Sequence, residues 1–441
     1  MYARELLSAS GHQVSECALI PITTEEDKMR ILFVANVWSI HTARWINQLN
    51  NIGWDLHIFP TRDLIINPIL KDVTVHDFTV RAADVDASVR TPGVSLTKKG
   101  LRFIWKKLGL YQTDIGRPLV PEISSFEGLD KYAKIQGHRL VALIQKIKPD
   151  LVHSLQFQYD SYPALEAKKI MGEKFPTWIA TNWGADIHHF SQFPDHAKKI
   201  REVLEGCDYY SCECYRDVEL AQKLGFKGRV LPIIPNTGGY NLKWVKQFRQ
   251  PGPTSARKVI ALKGYKDWVY KGLVGLEALN LCKDILFEKD YKVEIYLGGT
   301  VIKEKAEEYG LPFEMVPYSP HEDILRMHGR SRVSIGLSLS DAISTSFLET
   351  IVMGSFPIQS YTSCADEWIK NGETGFLVPP EDASKIAKVL RVALLDDELV
   401  DQAAEINSQT VAERLNFEKV RPIAIEFYRG LDLKNGFRKA N

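Results

Sequence analysis

The sequence predicts an α/β protein of two domains, each a parallel sheet covered by helices, that face one another across a cleft. Three observations carry this expectation. Short apolar runs of strand length alternate with longer amphipathic runs along most of the chain, which is the pattern of strand-helix-strand units. A polar stretch carrying glycines and prolines, NTGGYNLKWVKQFRQPGPTSARK (236–258), interrupts the alternation, which then restarts. The 441 residues, 45% hydrophobic and 25% charged, are enough for two or three cores.

The runs of the first half are ILFVAN (31–36), DLHIFP, DLVHSL, TWIATNW, DYYSCEC and RVLPIIPN. Those of the second are VIALKGY (259–265), VEIYLGG, EMVPYS, VSIGLSLS (333–340), FPIQSY and GFLVPP. They imply two Rossmann-like domains, 29–240 and 241–416, with a final helix near 417–435 packing back on the first. Residues 1–28 precede the first periodic segment and read as an appendage. Ligands of open parallel sheets bind beyond the carboxyl ends of the strands, so the loops after the strands should line the cleft between the two domains.

Composition excludes several classes of function. With 56 basic and 55 acidic residues the net charge is +1, so no global field draws in nucleic acid. Six cysteines at irregular spacing form neither a disulfide framework nor CxxC pairs, and Cys212 and Cys214, alternating along an expected strand, read as buried thiols of a cytoplasmic protein. No apolar run approaches the roughly 20 residues that span a bilayer, and the first 28 residues do not resemble a signal peptide. His188 and His189 lack a third ligand at metal spacing, so no metal site is expected.

The loops after the strands carry the chemistry. After the first strand, Ser39, His41, Thr42 and Arg44 sit where a helix begins. This is no GxGxxG fingerprint; side chains rather than glycines suit a hydroxylated partner, although Ser39 also suits a simple helix cap. At the end of TWIATNW, Trp183, next to Gly184 and before Asp186, reads first as a core aromatic and otherwise as a sugar platform. After VIALKGY, Lys263, Lys266 and Lys271 surround Gly264 and a helix start, where cations and free backbone N–H groups both attract an anion, unless these lysines are merely a solvated face.

The most informative stretch is SDAISTSFLETIVMGSFPIQS (340–360), a strand end, a hydroxyl-rich loop and a helix that Gly354 stops. Asp341 and Glu349 flank Ser344, Thr345 and Ser346. SFLE (346–349) fits a capping box in which Glu349 reaches back to the Ser346 N–H. The other reading has Glu349 accept two ribose hydroxyls while the helix start receives phosphate and Asp341 meets a sugar.

Together these segments resemble the GT-B glycosyltransferases, specifically the large retaining family 4, over nearly all of residues 29–430. The acid pair, with seven residues between its members, is similar to that family's ExxxxxxxE, with Asp341 in place of the first Glu. MGSFPI, EWIKNGETGFLVPPED (367–382), SIHTARW (39–45) and Pro235-Asn236 look like further family features. The resemblance implies a metal-independent enzyme needing no cofactor, which transfers a hexosyl group from a UDP- or GDP-sugar to a glycan or lipid-linked acceptor with retention. It implies that Glu349 binds ribose, that Asp341 lies beside the donor sugar, and that Lys266 and Lys271 grip the diphosphate. Tyr318 would lie along the nucleobase. Thr181, Asn182 and Trp183 stand where many relatives carry a His, which makes Asp186 the nearest polar substitute. Ser39, His41, Arg44 and Trp183 would meet the acceptor. A nucleotide-sugar epimerase, a phosphorylase or a silent sugar-nucleotide binding module are the rival readings.

The segment TKKGLRFIWKKLGLY (97–111) interleaves five basic residues with aromatic and aliphatic ones. On a helix it reads either as a core helix with a solvated basic side or as a peripheral contact with the cytoplasmic membrane leaflet.

Overall fold

The structure is a computed structural model that describes residues 29–61, 66–76, 86–92, 125–265, 269–317 and 320–434. The appendage 1–28, the basic segment 97–111, Lys266 and Tyr318 lie outside the described residues.

Two all-parallel sheets organise the chain. The first has seven strands: β1 (Arg30–Ala35), β2 (Asp55–Pro60), β3 (Thr74–Val75), β4 (Leu151–Ser154), β5 (Thr177–Thr181), β6 (Tyr209–Ser211) and β7 (Arg229–Val230), in the order β3-β2-β1-β4-β5-β6-β7. The second has six: β8 (Val259–Lys263), β9 (Lys292–Tyr296), β10 (Phe313–Val316), β11 (Ser331–Gly336), β12 (Phe356–Ser360) and β13 (Phe376–Val378), in the order β10-β9-β8-β11-β12-β13. Strand order reverses beside β1 in one sheet and beside β8 in the other, which places the loops after β1, β4, β8 and β11 at switch points where a crevice opens. The central strands are buried on both faces: Ile31 to Ala35 are all fully buried, as are Ile260 and Ala261.

Several expected strands end early. VSIGLSLS pairs as β11 only to Gly336, because beyond it the backbone turns to another loop: Lys271 N–H donates to Leu337 O at 3.1 Å and Leu339 N–H to Val269 O at 2.8 Å. DYYSCEC pairs only over Tyr209–Ser211, so Cys212 and Cys214 lie past the strand, both fully buried. Pro232 and Pro235, which lack an N–H, follow the two-residue β7.

The chain crosses between the sheets twice, and the crossings hold each other. Tyr240 N–H donates to Leu415 O at 2.7 Å and Phe417 N–H to Tyr240 O at 2.9 Å. A Cβ on Gly239 would lie 2.5 Å from Phe417 Cα, so only glycine permits this approach. The helix Phe417–Arg429 then packs on the first sheet's core, where the Tyr428 hydroxyl accepts from Trp45 Nε1 at 2.6 Å and lies 2.9 Å from His153 Nδ1. His153 Nε2 in turn meets Thr181 Oγ1 at 2.6 Å. Burial holds His153 down at about 3, so this network is neutral.

Tyr428→Phe removes one hydroxyl and leaves two buried ring nitrogens short of a partner. The expected loss is about 1–3 kcal/mol of unfolding free energy, read by denaturant unfolding at neutral pH.

Candidate active site

The second domain supplies a cationic cradle. β8 delivers Lys263 and then Gly264, where a Cβ would stand 2.7 Å from Ile295 Cγ2 and 2.9 Å from Gly298 Cα. The chain folds back so that Gly272 N–H donates to Tyr265 O at 3.0 Å. Lys263 Nζ lies 4.5 Å from the centre of the Tyr270 ring and donates to Ser344 Oγ at 3.3 Å. Ser344 stands at the N-terminus of the helix Thr345–Val352, yet no side chain caps that end, and its hydroxyl is 2.9 Å from Ser346 Oγ instead. A lysine and an uncapped helix start therefore face the same space. Lys271 precedes the helix Gly272–Asn280, its backbone N–H bonds Leu337 O beyond β11, and its Nζ pairs with Glu381 Oε1 at 3.1 Å.

Glu349 does not close a capping box. The helix begins after Ser344, so Ser346 is already inside it, and the Glu349 carboxylate is turned toward the cleft. Glu349 is 4% exposed; its Oε1 lies 2.7 Å from His321 Nε2 and 3.6 Å from Arg44 Nη2, a residue of the other domain. Burial works to raise its pKa, but the bond from His321 and the charges of His321 and Arg44 prevail and hold it at about 2. Asp341 Oδ1 accepts from Ala342 N–H at 3.0 Å and lies 3.0 Å from where a Cβ on Gly184 would be, at a backbone φ of +54°. Burial raises the Asp341 pKa, against the nearby Lys263 cation.

The first domain contributes the helix Ile40–Asn47 and the loop after β5. Ser39 Oγ accepts from His41 N–H at 3.2 Å, so Ser39 caps its helix. His41 faces the cleft: its Nδ1 is 3.4 Å from Thr345 Oγ1, and the Trp183 ring stands edge-on at 5.7 Å. Burial, with the Arg44 and Lys263 cations adding to it, lowers the His41 pKa to about 4, so the imidazole is neutral. Trp183 packs against the first core, with a buried Nε1 that has no hydrogen-bond partner among the described residues. Asp186 Oδ2 accepts backbone N–H bonds from Phe157 and Trp183, both at 3.0 Å, the geometry of a carboxylate that holds two loops. Burial pushes it up to about 7 despite those bonds.

Several residues at the cleft carry no local sequence signal. Arg216 donates Nη2 to Asp341 O at 2.8 Å and Nη1 to Thr362 O at 2.9 Å, while its Nε pairs with Asp217 at 2.9 Å. Glu367 Oε1 accepts from Tyr215 N–H at 2.8 Å, at the start of the helix Tyr215–Lys223. His188 Nδ1 meets Ser340 Oγ at 2.8 Å. Glu213, 7% exposed, accepts from Asn236 N–H at 2.7 Å, and burial together with the Asp341 charge drives its pKa up to about 8. His321 belongs with them, since nothing around HEDIL distinguishes it from an ordinary helix start.

Comparison with known proteins agrees with this architecture. Residues 276–410 match the family model of glycosyl transferases group 1, and residues 30–96 and 121–209 match that of glycosyl transferase 4-like proteins. Sucrose-phosphate synthase from Thermosynechococcus elongatus superposes with a TM-score of 0.65 at 16% identity, over 91% of this chain and 99% of that one. The Anabaena protein HepE in complex with UDP and glucose gives 0.60 at 12% identity, over 91% and 100%. A UDP-forming α,α-trehalose-phosphate synthase from Burkholderia xenovorans gives 0.60 at 13%, over 91% and 99%. No curated protein sequence matches this one. With one family model matched in each domain and the two sheets facing a cleft, the chain is a GT-B glycosyltransferase.

Glu213 gives a pH signature. Its folded pKa of about 8 stands above the ordinary 4.5, so between those values the folded state holds a proton that the unfolded state has lost, and stability falls as pH rises across that window. Glu213→Gln removes the titration: the variant gains on the wild type between pH 5 and 9, by at least about 1 kcal/mol, in paired denaturation curves.

Proposed function

We propose that this glycosyltransferase is a retaining enzyme of family 4 that moves a hexosyl group from a nucleotide diphosphate sugar to a hydroxyl of a glycan or lipid-linked acceptor, in polysaccharide or glycoconjugate synthesis. The observation that carries the proposal is the meeting of Lys263, the uncapped start of the helix Thr345–Val352 and the buried Glu349 at the carboxyl ends of β8 and β11. A nucleotide diphosphate asks for that set: a carboxylate for the ribose hydroxyls, and cations with free N–H groups for the phosphates.

In this reading Glu349 accepts the two ribose hydroxyls. Lys263, Lys271 and Lys266, with Gly264, Ser344, Thr345 and Ser346 at the loop edges, hold the diphosphate, and Tyr318 lies by the base. Asp341 meets the donor sugar. His41, Arg44 and Trp183 border the acceptor side, with Ser39 supporting their helix and Asp186 fixing the loop that carries Trp183. UDP-sugars are the first donors to test, because HepE binds UDP and glucose and the trehalose-phosphate synthase forms UDP.

The barrier is departure of an anion. The bond from the anomeric carbon to the β-phosphate oxygen breaks while the acceptor oxygen bonds the same face. The acceptor proton passes to the departing phosphate oxygen. Fixed cations and a helix N-terminus stabilise the charge that develops there, and a closed cleft keeps water from the reactive sugar. The protein acts in the cytoplasm, with peripheral attachment through 97–111 bringing it to lipid-linked acceptors; among the described residues no helix is long and apolar enough to cross a membrane.

Calorimetry with UDP tests the nucleotide site: Glu349→Gln weakens binding by about 1.5–3 kcal/mol, the worth of hydrogen bonds to a charged group. Unchanged affinity refutes the ribose assignment. Lys271→Ala lowers the affinity for UDP more than that for uridine, with the fold intact by circular dichroism. Equal losses assign Lys271 a structural role only. Incubation with labelled UDP-hexoses and a glycan or lipid extract yields a labelled glycoside; an epimerised donor, or binding without turnover, contradicts the transferase reading.

A further inference from the structure

The Glu349 carboxylate already has charged neighbours, and one of them comes from the opposite domain. Arg44 Nη2 lies 3.6 Å from Glu349 Oε1, while His321 Nε2 lies 2.7 Å from both Arg44 Nη2 and Glu349 Oε1. The three side chains span residues 44, 321 and 349, and they are the direct contact between the first helix of one domain and the presumptive ribose carboxylate of the other.

Three features make Arg44 a replaceable partner. Its approach to Glu349 is an ion pair too long for a hydrogen bond. Its Nη1 is buried and has no hydrogen-bond partner among the described residues. With its proton on Nε2, His321 donates to Glu349, and the lone pair left for Arg44 Nη2 is on Nδ1, the farther ring nitrogen at 3.2 Å. The remaining contacts of Arg44 are His321 and the face of the Tyr240 ring, 5.5 Å from the guanidinium carbon, so charge rather than a paired hydrogen-bond geometry holds it at Glu349. Arg44 also has somewhere to go. Together with His321, Gln48, Tyr240 and Trp244 it lines a cleft of about 890 Å³ on the hinge side.

We infer that Arg44 is the internal occupant of the ribose subsite: across the cleft its guanidinium holds the Glu349 carboxylate when no nucleotide is bound, the ribose hydroxyls displace it, and His321 stays to orient the carboxylate. The inference rests on the reading of Glu349 as the ribose ligand. It makes Arg44 a positioning residue that sets nucleotide affinity by competition, where the sequence had suggested an acceptor contact. The measured affinity is the intrinsic affinity reduced by the fraction of molecules in which Glu349 is free of Arg44. Each nucleotide that binds also breaks one tie between the domains, so donor binding and cleft opening are coupled.

Uridine and UDP, with guanosine and GDP in parallel, are titrated calorimetrically into the full chain and its Arg44→Gln, Arg44→Met, Arg44→Lys and Glu349→Gln variants, each first checked for a cooperative melt. Removing the competitor tightens binding of nucleoside and nucleoside diphosphate alike, by about three- to tenfold, in both the Gln and Met variants. Arg44→Lys, which keeps the charge, stays near the wild type. A structural defect would move affinity the other way. Unchanged affinity in the Gln and Met variants overturns the inference. So does a loss that is larger for the diphosphate than for the nucleoside, which would make Arg44 a phosphate ligand. If Glu349→Gln leaves uridine affinity unchanged, the ribose reading itself fails; if it weakens uridine while Arg44→Gln and Arg44→Met have no effect, the competition alone fails.

Discussion

The geometry of the cleft depends on one guanidinium. Arg216, at the start of a first-domain helix, donates to the carbonyl oxygens of Asp341 and Thr362 in the second domain and pairs with Asp217 on its own helix. Through these bonds the loop after β11, which opens the helix carrying Glu349, is referenced to the sheet of the other domain. The same loop also meets the first domain through His188 on Ser340, His41 on Thr345 and contacts of the Glu213 carboxylate. Charge-assisted bonds to carbonyl oxygens are stronger and more directional than neutral ones. Loss of Arg216 would also leave Asp217, which is fully buried, without its cation.

The two faces of the cleft differ in character. The face of the second domain is cationic where Lys263 meets an uncapped helix start, and a glycine at 264 lets the strand end lie against Gly298. On the facing wall burial holds His41 unprotonated and pushes Asp186 and Glu213 toward their protonated forms, while Arg44 and Arg216 reach across to the second domain. Glu349 is the exception among these carboxylates, because His321 and Arg44 outweigh its burial and keep it ionised.

The α/β class was legible because it is written in local periodicity. ILFVAN, DLHIFP and VIALKGY became β1, β2 and β8 within a residue or two, and the glycine-rich interruption marked where the chain passes between sheets. The end of β11 was not legible, since beyond Gly336 the Leu337 carbonyl and the Leu339 N–H pair with Lys271 and Val269 in a distant loop, which no local pattern encodes. The same holds for the site. Lys263, Ser344 and Glu349 could be picked out because strand-loop-helix junctions are local features. Arg216, His321, Glu213 and Glu381 could not, because each acquires its meaning from a partner in a distant segment or in the other domain. Ser39 and Asp186 show the limit from the other side: residues of catalytic type that the fold uses to cap a helix and to hold two loops.

The central claim is that Glu349, Lys263 and the start of the helix Thr345–Val352 form one nucleotide diphosphate site. A crystal structure of the full chain with UDP tests it most directly. The account predicts ribose hydroxyls on the Glu349 carboxylate, phosphate oxygens on Lys263 and the backbone N–H groups following Ser344, and Arg44 withdrawn from Glu349. UDP bound elsewhere in the cleft, with the Glu349, His321 and Arg44 contacts intact, would contradict it.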